Sequence, residues 1–180
     1  MKTLRAALSR LCRDTRGVSA LEFALIAPVL IATYLGAAQM TMAVSADRKV
    51  TAATNAVADL VAQDDFLTHA ELSDIYAAGD AIIFPNDPTN LSVRITSVRM
   101  TVDGDVIVDW SEGRGTDPLT TDTLPTMPPG LLAPMNSVVM VEMRYPFSGP
   151  FPDESGPLLT LSDTAYLRPR RSAWVRRQGN

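Results

Sequence analysis

From Phe23 to Ala46 the chain runs for 24 residues without a charged side chain. No other stretch constrains the fold as much. As a helix this run would be about 36 Å long, against a hydrocarbon core of about 30 Å, so it is long enough to cross a bilayer with some tilt. Pro28 and Gly36 lie inside it. Both residues are tolerated in membrane helices, and a proline there is a site for a kink. Residues 1–17 are basic: Lys2, Arg5, Arg10, Arg13 and Arg16 stand against Asp14 alone. The positive flank stays on the cytoplasmic side, which predicts a single pass with the rest of the chain exported.

A secretory signal peptide competes with this reading, with a cleavage site after Ala46 in "AVSAD". The apolar run is too long for a signal peptide, whose apolar region is about 7–15 residues. Helical signal also continues through "DRKVTAATNAVADLVAQDD" without Gly or Pro. There Val50, Ala53, Val57, Leu60 and Val61 recur at helical spacing and form one apolar stripe. One helix is therefore expected from about Val18 to Gln63, roughly 69 Å long, apolar all round in its first half and amphipathic in its second.

Charge divides the chain further. Residues 47–167 hold 18 acids against 6 bases, and the last 13 residues hold five Arg and no acid. An acidic body argues against nucleic-acid binding. The single cysteine, Cys12, permits no internal disulfide, and the single histidine, His69, permits no multi-histidine metal site. No nucleophile–base constellation, phosphate loop or Cys/His cluster is present, so neither catalysis nor a cofactor nor a small-molecule substrate is expected.

The acid at the head of the apolar run needs a reason. Gly17 is followed by Val18-Ser19-Ala20-Leu21 and then Glu22-Phe23, behind a basic leader and ahead of some twenty apolar residues. This pattern resembles the processing site of type IV pilins and pseudopilins. The resemblance implies that a prepilin peptidase cuts after Gly17, that Val18 becomes the new N-terminus, and that Glu22 pairs with the N-terminal amine of a neighbouring subunit. A buried carboxylate is costly alone and tolerable when paired. The competing reading of Glu22 is an interfacial residue favoured by the helix dipole, reaching headgroups.

More closely, "RGVSALEFALIAPVLIATYLG" is similar to the opening of TadE-like and TadG-like proteins of the tight-adherence (Tad/Flp) pilus machinery, through Arg16, Gly17, Ala20, Glu22, Phe23, Ala24 and Pro28. The length favours the TadE-like type. The resemblance implies a minor pseudopilin-type protein in pilus assembly and cell adhesion. It would sit in the bacterial inner membrane with its N-terminus cytoplasmic and its body periplasmic, and enter or underlie the pilus. Its partners would be other pilins, Tad inner-membrane assembly proteins and a prepilin peptidase. Two alternatives remain open: a permanently anchored periplasmic docking module, and a cleaved soluble exported protein.

The body reads as α+β. "THAELSDIYAAGDAIIF" opens on a capping-box pattern at Thr68 and Glu71, and Gly79 is expected to end that helix. "LSVRITSVRMTVDGDVIVDW" reads as a hairpin turning at Asp103-Gly104, with a bulge near Thr96–Ser97 where the alternation changes phase. Asp103, Asp105 and Asp109 lack calcium-loop spacing and are read as turn and edge residues. "NSVVMVEMRYPF" is a third strand with Val139, Val141, Met143 and Tyr145 on one face and Pro146 as its end. A fourth strand is expected around Thr164–Arg168. The 111–136 loop is either a binding loop or mobile. The expected plan is a pilin-like long helix packed on an antiparallel sheet of about four strands. Its divisions are a leader 1–17, a membrane helix 18–46, an amphipathic continuation 47–66, an exported domain 67–170 and a basic tail 171–180. That tail is either solvated or in contact with headgroups or an acidic partner.

Overall fold

The computed structural model describes residues 17–120, 127–149 and 156–179. By internal contacts the chain divides after Thr41 into two units. The elements are α1 (Val18–Gln63), β1 (Phe66–Leu67), α2 (His69–Ile83), a 3₁₀ turn (Pro88–Asn90), β2 (Ser92–Met100), β3 (Val106–Arg114), β4 (Ser137–Phe147), β5 (Leu159–Leu167) and β6 (Arg176–Arg177). The expected fold class holds: one long apolar N-terminal helix and a four-stranded antiparallel sheet. Strand order is β3-β2-β4-β5, and β1 and β6 form a separate parallel pair.

In the first unit, the helical residues from Val18 to Thr41 bury no side chain, so their apolar surface has no partner among the described residues of the unit. The second unit starts inside the same helix. Here Ala43, Ala46, Val50, Ala53, Val57, Ala58 and Val61 turn a stripe of small apolar side chains inward. The recurrence at three and four residues is the helical period, as the sequence pattern requires. Leu60 departs from the expected stripe and is 36% exposed.

α2 begins with a complete capping box. The Thr68 hydroxyl accepts from the Glu71 backbone N–H at 3.2 Å, and the Glu71 carboxylate accepts from the Thr68 backbone N–H at 2.8 Å. The Thr68 backbone N–H, and its hydroxyl at 2.7 Å, both reach the Glu71 carboxylate, and these two bonds lower the Glu71 pKa from its ordinary value. Gly79 does not end this helix, which continues to Ile83. A Cβ at Gly79 would stand 3.2 Å from Val57 Cγ2. The glycine is therefore a close-approach residue between α1 and α2, and packing outweighs its poor helix propensity.

The sheet presents Val93, Ile95, Val139, Val141, Met143 and Tyr145 to the two helices. β2 pairs with β4 without interruption from Ser92↔Arg144 to Arg99↔Ser137. The register shift lies in the β2–β3 ladder, where Ser97 pairs with Trp110 and Val98 with Val108. The extra residue is thus Asp109 on β3, so the bulge belongs to the partner strand and not to Thr96–Ser97. The change of alternation in β2 has another cause. Thr96 and Val98 are buried on the opposite face, with Val138 and Met140.

That second face is covered by the long connection after β3. Leu119 N donates to Ser111 Oγ at 2.9 Å, and Ser111 Oγ shares a hydrogen bond with Thr96 Oγ1 at 2.9 Å. Arg168 donates to the Leu131 carbonyl. The described parts of the connection are therefore tied to the sheet by hydrogen bonds at Leu119 and Leu131. The turn at 101–105 forms as expected, with Gly104 at φ +93°, a conformation glycine adopts without a Cβ penalty. Pro146 does not end β4, which runs to Phe147. Beyond Arg144 the strand pairs with β5 alone. The N–H that proline lacks would face the unpaired side, so no ladder bond is lost.

The basic tail folds back, which corrects the solvated-terminus reading. Arg170 N donates to the Ala62 carbonyl, Arg176 N to Asp65 and Gln178 N to Leu67, all within 3.0 Å. Val175 is fully buried, and Trp110 Nε1 donates to its carbonyl at 2.7 Å. The tail closes the end of the helix-packed face that the helices leave open, where Ser137 Oγ donates to the Ala173 carbonyl.

Candidate assembly segment

Every residue singled out for assembly lies at the head of α1. Gly17 precedes the helix, is exposed, and has nothing within 4 Å of where a Cβ would stand. Val18 is the first residue of the α-helix and is exposed. Glu22 is exposed, and Phe23 is 70% exposed. Val18 and Glu22 are four residues apart, which places them one turn apart on the same helix face. A free amine created at Val18 would thus share a face with the Glu22 carboxylate. Pro28 lies within the helix, and Gly36 is open on its side.

This segment is long and apolar enough to cross a membrane, and its most apolar window is wholly exposed. Leu21, Leu25, Ile26, Val29, Leu30 and Ile31 are all more than half exposed. Such a surface is larger than a monomeric soluble protein tolerates in water. It supports a membrane anchor.

The body carries paired charges. Asp109 is ion-paired with Arg99 at 2.8 Å, and its pKa is raised by burial against the lowering effect of that arginine. The Arg99 guanidinium lies 5.4 Å from the Trp174 ring centroid. Asp109 therefore serves the fold, and Asp103 and Asp105 lie in the β2–β3 turn. Arg114 grips Asp80 with two nitrogens and stacks 4.8 Å over Tyr76. Desolvation pushes the Tyr76 hydroxyl up to about 12, with Glu112 adding to the rise and Arg114 and Arg177 opposing it.

The arginines of the tail find acids of the body: Arg170 pairs with Asp59, and Arg177 with Glu112. Sequence reasoning missed this contact, although the opposed charges of tail and body were its signal. His69 is exposed, with Nδ1 3.4 Å from Gln178 Oε1. Among the described residues no group of three or more His, Cys, Asp or Glu is placed to hold a metal.

A sequence model of one family, the TadE-like proteins, matches residues 17–59. The match begins at the glycine of the expected processing site and ends inside the buried half of α1. No curated protein matches the chain, and no solved structure does.

Proposed function

We infer, from a TadE-like signature spanning Gly17 to Asp59, that this protein is a minor pseudopilin-type structural component in the assembly or initiation of a Tad (Flp) pilus. It is anchored by α1 in the bacterial inner membrane, N-terminus inside and body in the periplasm. The observation that carries the reading is the exposed apolar half of α1, which bears a single carboxylate one turn from Val18. A bilayer or a bundle of like helices satisfies that surface, and water does not.

In this reading a prepilin peptidase cuts after Gly17, where the chain is exposed and free of side-chain obstruction. The new Val18 amine and Glu22 then form a pair between neighbouring subunits. In a hydrocarbon setting each charge is tolerable only with the other, so the pair fixes the stagger of adjacent helices. Phe23, Pro28 and Gly36 shape the surface those helices share. The partners are other pilins and the Tad inner-membrane assembly proteins.

Intact mass of the mature protein tests the processing step. A terminus at Val18 supports it; one at Met1 makes the protein a permanent anchor, and one at Asp47 makes it a cleaved soluble protein. Gly17→Ala should abolish any shift in size. Glu22→Ala should abolish piliation while leaving membrane insertion intact, and normal piliation would remove the pairing role.

A further inference from the structure

α2 ends in a turn whose apolar side chain points away from the body. Phe84 is 73% exposed, whereas Leu72, Ile75 and Ile83 of α2 are buried. The turn is tied down. Lys49 Nζ donates to the Phe84 carbonyl, and Asn86 N donates to the Ile83 carbonyl at 3.0 Å.

Its position along α1 is informative. Pro85 and Asn86 line an open groove of about 300 Å³ together with Met42, Ala46 and Lys49 of α1 and Phe147 of β4. Met42 and Ala46 are the last turn of the uncharged run that begins at Phe23. Lys49 stands three residues beyond it, about 5 Å of helix rise. The Phe84 backbone, bonded to Lys49, is thus held beside the point where the apolar run stops, and Asp47, Arg48 and Lys49 are the charges that follow the run in the sequence. Aromatic rings and the stems of basic side chains favour the zone between hydrocarbon and water.

We propose that the Phe84–Pro85 turn is a second, interfacial contact of this protein with the lipid bilayer, with the Phe84 ring seated among the headgroups next to the exit of α1. The occupant of this face is lipid. The inference rests on the membrane-anchor reading of α1.

Site-directed spin labelling of the full-length protein in phosphatidylcholine–phosphatidylglycerol vesicles tests it. Cys12→Ser removes the single native thiol. One nitroxide is then placed on Phe84→Cys, Leu30→Cys or Val102→Cys, all exposed positions, the last in the β2–β3 turn. The expected result is an oxygen-to-nickel-chelate accessibility ratio at position 84 several-fold above that at 102 and below that at 30. A water-like ratio at 84 with a lipid-like ratio at 30 overturns the proposal and leaves the anchor standing. Low access of both reagents at 84 also overturns it, because the ring is then covered by protein. A water-like ratio at 30 removes the anchor reading, and this inference with it.

Discussion

The two halves of α1 share one backbone geometry, yet they solve opposite problems. From Val50 to Val61 the buried side chains are Val50, Ala53, Thr54, Val57, Ala58 and Val61, with polar residues such as Thr51, Asn55 and Asp59 turned outward. Burying each valine there contributes about 1.5–3 kcal/mol as an upper figure. From Val18 to Thr41 nothing is buried and no polar face exists. The second half is completed by its own chain, and the first half waits for a surface that the described residues do not supply. A hydrophobic residue therefore has two different meanings along one helix: stability of the body in one half, and attachment in the other.

A charge placed in each half separates these meanings most sharply. Val57→Asp buries a carboxylate with no partner between α1, α2 and the sheet. It should destabilise the body by more than about 3 kcal/mol, read as a collapse of the urea midpoint in detergent. Leu30→Arg should leave that midpoint unchanged and disfavour insertion by about 3 kcal/mol, read as the membrane-bound fraction after extraction at alkaline pH. If both substitutions lowered the midpoint alike, the division of labour within α1 would be wrong.

The comparison extends to the tail, which belongs to the body despite its charge. Trp110→Phe deletes the bond to the Val175 carbonyl and should cost about 1–2 kcal/mol, with faster proteolysis after Arg170 or Arg171 than in the native protein. Thr68→Ala removes one half of the α2 capping box and should cost about 1 kcal/mol, with the insertion of α1 unaffected.

A last and smaller effect concerns pH. The Tyr76 hydroxyl is raised from 10.0 to about 12 in the folded protein. A group whose folded pKa is raised favours the folded state below its unfolded pKa, and that contribution is lost as pH climbs through the folded value. Stability should therefore fall between about pH 10 and pH 12, and the difference between native protein and Tyr76→Phe should change within that window. Equal slopes for the two proteins would show that Tyr76 ionises as freely in the fold as in the unfolded chain.

Much of this fold was legible because it follows from local periodicity. The 24-residue uncharged run, the three-and-four spacing of Val50, Ala53, Val57 and Val61, the Thr68–Glu71 box and the Asp103-Gly104 turn each act within a few residues of themselves. What was misread involved partners distant in sequence. Gly79 reads as a helix stop until Val57 is placed against it. The phase change in β2 reads as a bulge until Thr96 and Val98 are found buried on the second face, where Leu119 of the following connection is tied to Ser111. Five arginines read as a free cationic arm until Asp59, Glu112 and the open end of the sheet are brought to them.

The sequence by itself determined that this chain has an uncharged helix long enough to cross a bilayer, a carboxylate at its head and an acidic α+β body behind it, because hydrophobic length, charge and period are local quantities. Only the tertiary structure decided where α1 changes from exposed to buried, which acids the tail neutralises, and that Phe84 is left bare beside the end of the apolar run. Those outcomes depend on which surfaces meet, and surfaces far apart in the chain meet only after it has folded.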